Sequence, residues 1–118
     1  MPTEIRLTPE FERDARRALK KFGSLRQELA ELMAALVLNP QMGTPLGNRC
    51  YKIRLAVRSK GQGKRGGMRV ITYVLLQLAP DNNDVVYLAS LYDKSDRDTV
   101  SDAELKALVA SIISKRQG

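Results

Sequence analysis

A chain of 118 residues has room for one domain, residues 1–118, with a single hydrophobic core and no second unit. Its apolar content of 43% is ordinary, but 20 basic against 13 acidic side chains give a formal charge of +7 and a pI near 9.9, which directs attention to an anionic partner, nucleic acid ahead of membrane. Cys50 is the single cysteine and histidine is absent, which excludes an internal disulfide and the usual zinc ligand sets; no metal or other cofactor is expected, and a reducing cytoplasm is the expected location. The N-terminus lacks the pattern of a signal peptide and no apolar run is long enough to span a bilayer, so no membrane role is expected.

Thr3 to Leu7 reads as a short first strand. Thr8-Pro9-Glu10 then offers a hydroxyl cap, a proline in the first turn and an early acid, the start of a helix. Phe11, Ala15, Ala18, Leu19 and Phe22 share one face of that helix, with Arg13, Arg16, Arg17, Lys20 and Lys21 mostly on the others, and Gly23 is suited to a left-handed stop. Ser24 to Gln27 has the form of a capping box, so a second helix should begin at once. Leu25, Leu29, Leu32 and Leu36 give it a narrow apolar stripe, and Asn39-Pro40 ends it. The two helices read as an antiparallel hairpin in need of a sheet, reached through a loop over Pro40–Asn48.

From Cys50 to Val57 the pattern alternates, with Tyr51, Ile53, Leu55 and Val57 on one face and Lys52, Arg54 and Arg58 on the other. Met68–Leu78 and Val85–Leu91 are nearly continuous in apolar character, as inner strands are, and Asp81-Asn82-Asn83 is the turn between them. Ser101 to Glu104 is a further capping box, opening a last helix through Leu105, Leu108, Val109, Ile112 and Ile113. The expected fold is therefore α+β: a short N-terminal strand, a two-helix hairpin, a three-stranded antiparallel run and a C-terminal helix, with the helices on one face of a mostly antiparallel sheet.

Charge is distributed unevenly along this order. Residues 1–48 carry seven basic and six acidic side chains, and residues 70–118 carry five basic and seven acidic. Between them stand Arg49, Lys52, Arg54, Arg58, Lys60, Lys64, Arg65 and Arg69, with no acid. A charge run of this kind is ordinarily a solvated face. Here antiparallel pairing folds the cations back on one another, and like charges that close cost stability unless an anion visits, so a phosphate-binding surface is the economical expectation. Gly61, Gly63 and Gly66 have the G-x-G-x-x-G spacing of a dinucleotide site, but a strand follows them instead of a helix, so a flexible hairpin is expected.

The order of elements, Cys50-Tyr51-Lys52-Ile53-Arg54-Leu55, the run from Gly63 to Tyr73 (Gly-Lys-Arg-Gly-Gly-Met-Arg-Val-Ile-Thr-Tyr) and Leu88 to Lys94 together resemble the RelE and HigB branches of the RelE/ParE toxin superfamily. The second run resembles the G-K-x-G-G-x-R-V-I-Y-Y signature of HigB-like toxins, and the likeness spans nearly the whole chain. The resemblance implies the toxin of a type II toxin-antitoxin system, a metal-independent endoribonuclease that cuts mRNA on the ribosome and is restrained by an antitoxin. It also implies functional roles for Lys52, Arg54, Arg69 and Lys94. Two departures stand out: the loop from Arg58 to Gly67 is longer than in RelE itself, and the tyrosine that RelE carries near its C-terminal helix aligns with Val100, leaving Tyr92 to serve in its place.

Cleavage through a ribose 2′-hydroxyl needs a base, positive charge on the phosphorane oxygens and an acid for the leaving 5′ oxygen. Without histidine, lysine must carry the proton transfers, and neighbouring cations favour the neutral, proton-accepting form of Lys52. Arg54 and Arg69 would hold phosphate oxygens, Lys94 would be the acid or a further phosphate contact, and Arg49, Arg58, Lys60, Lys64 and Arg65 would bind the RNA backbone. Two other readings compete. A ParE-like gyrase poison shares the fold but acts by binding a protein, and a non-catalytic RNA-binding module is disfavoured by an aromatic content of 5%. Tyr51, Tyr73 and Tyr87 are expected in the packing and Cys50 as an inert, half-buried thiol.

Overall fold

The structure, a computed structural model, describes residues 3–60, 67–76, 83–97 and 99–117. In chain order it contains β1 (Thr3–Leu7), α1 (Pro9–Lys21), α2 (Leu25–Leu38), β2 (Thr44–Gly47), β3 (Cys50–Leu55), β4 (Met68–Leu75), β5 (Asp84–Asp93) and α3 (Asp102–Gln117). The five strands form one sheet in the order β1-β5-β4-β3-β2, antiparallel except for the parallel pair β1 and β5. The α+β class expected from the sequence holds. No helix among the described residues is long and apolar enough to cross a membrane.

Strand periodicity sorts the core into two layers. On one face Ile53, Leu55, Val70, Val74, Val86 and Leu88 meet Phe11 and Ala18 of α1 and the stripe Leu25, Leu29, Leu32 and Leu36 of α2. Burial of each leucine in that stripe contributes about 1.5–3 kcal/mol. On the opposite face Ile71, Tyr73, Val85 and Tyr87 meet Leu105 and Ile112 of α3. The helical hairpin thus occupies one face as expected, whereas α3 covers the other, because β4 and β5 carry apolar residues at both parities and an uncovered second face would leave them wet.

Thr8 caps α1, accepting from the Phe11 N–H at 3.1 Å, while its hydroxyl lies 3.2 Å from the Leu88 and Ala89 carbonyls. Those carbonyls belong to an irregularity of the β4–β5 ladder opposite Ile71 and Thr72, and Asp14 of α1 accepts the nearby Leu91 N–H at 3.3 Å. Side chains of α1 therefore satisfy backbone groups beside the bulge. The capping box of α3 forms in both directions: Ser101 N–H to Glu104 and Glu104 N–H to Ser101, each 3.1 Å.

Local expectations fail at several places, each for a tertiary reason. Ser24 makes no capping bond to α2; its hydroxyl instead bonds Glu28 at 3.0 Å and Ser59 at 2.9 Å. Gly23 is not left-handed, since α1 ends at Phe22, an extended residue whose N–H returns to the Ala18 carbonyl. β3 stops at Leu55 and continues into a short 3-10 turn over Arg58–Lys60, and β4 stops at Leu75. Asp81 and Asn82 of the expected turn, like the loop glycines Gly61, Gly63 and Gly66, lie outside the described residues.

The expected loop over Pro40–Asn48 contains the edge strand β2, which pairs with β3 through Thr44 opposite Lys52 and Gly47 opposite Cys50. Asn48 and Arg49 form the two-residue turn between them, with φ of 56° and 63°. Both signs are those of a type I′ hairpin, which favours Asn-Gly, so Arg49 holds a conformation that costs an L-residue about 1–2 kcal/mol. At Gly43, φ is 105° and an added Cβ would stand 2.6 Å from the Lys52 carbonyl oxygen. Gly43→Ala is expected to lower stability by at least about 1–3 kcal/mol through backbone strain and displacement of β3. Relief of strain at Arg49→Gly, less the extra chain entropy, should raise it by roughly 0.5–1 kcal/mol. Urea unfolding of both variants checks the opposite signs.

Candidate nucleic-acid interface

Burial of Ile53 and Leu55 beneath the helical hairpin forces the alternate residues Lys52 and Arg54 onto the α3 side of the sheet. Register then aligns their neighbours. Arg54 stands opposite Arg69 and Arg69 opposite Tyr92, while Lys52 stands opposite Ile71 and Ile71 opposite Ser90. Paired residues of antiparallel strands have Cα atoms about 4.5–5.5 Å apart, so Arg54, Arg69 and Tyr92 form one row across three strands with Lys52 on the next. Lys94 follows β5 and its N–H donates to the Gly67 carbonyl at 3.1 Å, which keeps it at the same end of the sheet. Four of the expected site residues and Tyr92 are thus brought together.

Their exposure differs sharply. Arg54 and Lys94 are exposed and Lys52 is half-buried, but Arg69 is 2% exposed and Tyr92 8%. One guanidinium nitrogen of Arg69 donates to its neighbour's carbonyl, Met68 O, at 3.2 Å. Arg97 lies 4.8 Å over the Tyr92 ring and pairs with Glu104 at the start of α3. Arg69 therefore acts on any ligand of this face as a charge set beneath the surface, where low dielectric strengthens its field, and Tyr92 is a covered wall.

The other basic residues divide. Arg49 sits in the β2–β3 turn, at the far end of β3 from Arg54. Arg58 is exposed, but its N–H donates to Glu28 at 2.8 Å and its side chain lies 3.4 Å from the same carboxylate, which is buried at 6% exposure. Lys60, its side chain 9% exposed, pairs with Asp93 and lies 5.2 Å over the Phe22 ring. Both residues fasten the chain leaving β3; Lys60 is covered there, whereas the Arg58 side chain stays 64% exposed. Lys64 and Arg65 lie outside the described residues.

Glu28 and Asp93 are the residues that sequence reasoning missed. For Glu28 a signal existed: it falls between Leu25 and Leu29 on the buried stripe of α2, and a carboxylate there requires hydrogen-bond donors. Asp93 had none, since its partner is distant in sequence. A groove of about 700 Å³ opens beside it between α1 and the end of β5, lined by Arg17, Lys20, Lys21 and Arg97 but also by Asp14, Asp93 and Asp96. The basic face of α1 is thus interleaved with acid in space as it is in sequence.

Cys50 is buried, and burial pushes its thiol up to about 11, so it is held in the unreactive protonated form. Among the described residues no group of His, Cys, Asp and Glu could hold a metal ion. No family model matches the chain. What the face offers chemically is one exposed and one buried guanidinium in a row, a half-buried amine beside them and an exposed amine at the sheet end. That set can grip phosphate oxygens and exchange protons through lysine.

Burial alone would raise the Asp93 carboxyl, but Lys60 and the bonds from Ser95 outweigh it and hold the group below the usual carboxylate range. A depressed carboxyl contributes stability that is present above its unfolded value and is lost as pH falls through the folded one. Asp93→Asn is accordingly expected to cost about 1–3 kcal/mol at pH 7. The difference from wild type should shrink as pH drops below the ordinary aspartate value. Chemical denaturation at pH 7 and pH 3 measures both.

Proposed function

We propose that the protein is the toxin of a type II toxin-antitoxin pair of the RelE/HigB kind, a cytoplasmic endoribonuclease that cuts mRNA on the ribosome and is held inactive by its antitoxin. One observation carries the reading: Lys52, Arg54 and Arg69 lie on a single sheet face, with Lys94 at the same end. Like charges paired this way are unfavourable in isolation and favourable around a phosphodiester.

In this mechanism the Lys52 amine is the base that takes the proton of the ribose 2′-hydroxyl. The 2′ oxygen bonds to phosphorus, the bond from phosphorus to the 5′ oxygen breaks, and the Lys94 ammonium protonates the leaving oxygen. A 2′,3′-cyclic phosphate and a 5′-hydroxyl result, with atoms and charge balanced. Arg54 holds the non-bridging oxygens directly, and Arg69 stabilises their added charge from below. The ribosome supplies the alignment of mRNA that so open a face does not, an effect worth several kcal/mol.

A specific observation favours a second reading. Arg69 and Tyr92 are nearly inaccessible, which counts against direct contact of either with RNA and so against a site using every cation in catalysis, leaving a ParE-like gyrase poison, which acts by binding a protein, as the second reading. Ribosomes programmed with mRNA, followed by primer extension, separate the two. Wild type should cut, and Lys52→Ala should reduce the rate by about 10²-fold or more. Inhibited supercoiling without scission selects the gyrase reading, and tight RNA binding without scission selects the non-catalytic module.

A further inference from the structure

At the other end of β5, five positions from Tyr92 and so roughly 15 Å along the strand, Tyr87 lines a cavity of about 160 Å³. Its walls come from four elements: Leu7, Thr8, Pro9 and Glu10 where β1 gives way to α1, Tyr87 on β5, and Ile112, Lys115 and Arg116 on α3. Tyr87 itself is 7% exposed. Its hydroxyl oxygen accepts from Arg116 at 2.9 Å and from Arg6 at 3.3 Å. With both guanidiniums donating to that oxygen, the phenol proton is directed to an acceptor. The rim therefore presents three kinds of donor over an apolar floor: a phenol, two guanidiniums and the Lys115 ammonium.

We propose that this cavity is a docking site for an acidic peptide segment of a partner protein, taking one large apolar side chain onto Leu7, Pro9 and Ile112 and an adjacent carboxylate onto Tyr87, Arg6 and Arg116. The volume suits one Leu or Phe side chain, the size of a buried anchor at a protein interface. Leu7 in its wall is 41% exposed, which extends the apolar contact out to the rim. Charge complementarity selects an acidic partner: of the lining side chains three are cationic and one, Glu10, is acidic. Arg6 also pairs with Glu4, so Arg116 is the stronger determinant. Glu10 is an internal competitor for the same donors, which gives the site a signature of its own. The inference does not rest on the RNA-cleavage reading, since its residues lie at the opposite end of the sheet from Arg54, Arg69 and Lys94 and include none of the cations of that reading.

The probe is a fluorescein-labelled hexapeptide, Glu-Asp-Leu-Phe-Asp-Glu, titrated against the full chain by fluorescence polarisation. A control peptide carries Ser-Ser in place of Leu-Phe. The expected result is saturable binding of the first peptide, at least tenfold weaker binding of the control, and at least a tenfold loss in Arg116→Glu and in Leu7→Lys. Both substitutions are at exposed positions, and a thermal melt verifies folding. Glu10→Gln should tighten binding severalfold. The proposal is overturned by absence of binding at 1 mM peptide (about the weakest affinity of interest), by equal binding of the control, or by retention in folded Arg116→Glu. Loss on Lys52→Ala/Arg54→Ala in place of Arg116→Glu overturns it as well, by assigning the peptide to the basic strand face.

Discussion

The register of β3 against β4 is the constraint on which the rest of this structure depends. Ile53 opposite Val70 and Leu55 opposite Met68 bury their side chains under the helical hairpin, and a shift of one residue would turn all of them into the opposite layer. Each such side chain contributes about 1.5–3 kcal/mol by burial, whereas like charges placed directly opposite cost roughly 0.2–1 kcal/mol. Apolar burial therefore wins, and Arg54 opposite Arg69 is its consequence. The cationic row is imposed by the core beneath it, so its geometry is as firmly fixed as the core.

Two carboxylates hold two further cations of the basic segment to the fold. Glu28 holds Arg58 to α2 and Asp93 holds Lys60 to the end of β5, one at each side of the chain that leaves β3. A buried carboxylate left without its donors is costly, so these pairs act as fasteners more than as sources of net stability. Lys60 is covered by its pairing, whereas among the described residues Arg49, Arg54, Arg58 and Lys94 are exposed and Lys52 is half-buried, with Arg69 below them. At Gly43, just ahead of the edge strand, only a residue without Cβ lets the chain pass so close to the Lys52 carbonyl.

The face beneath α3 is thus divided along its length. At one end the strands carry cations in a row; at the other, Tyr73 and Tyr87 pack with their ring centroids 6.2 Å apart and Arg6 and Arg116 converge on a phenol. Ile112 meets the tyrosine end, and Arg97, just ahead of α3, reaches the cationic end through Tyr92 and Glu104. A single helix with its lead-in segment therefore touches both regions, so a change in how α3 seats would be felt at each.

Much of this was legible in the sequence, for definite reasons. The alternation from Tyr51 to Leu55 fixed which side chains lie together on β3, and the stripe from Leu25 to Leu36 fixed the buried face of α2, since period alone determines both. The caps at Thr8 and Ser101 were readable because their partners are three residues away. Pairings across the chain were not: Lys60 with Asp93, Arg58 with Glu28, and Arg6 and Arg116 with Tyr87 join residues that no local pattern connects. The turn at Asn48-Arg49 was hidden because an arginine in the left-handed region is no turn signal, and burial of Arg69 was hidden because alternation gives a side chain its face but not its cover. Local periodicity, in short, assigned residues to faces, while only the packing of distant segments decided which charges meet solvent, which meet one another, and which lie beneath the surface.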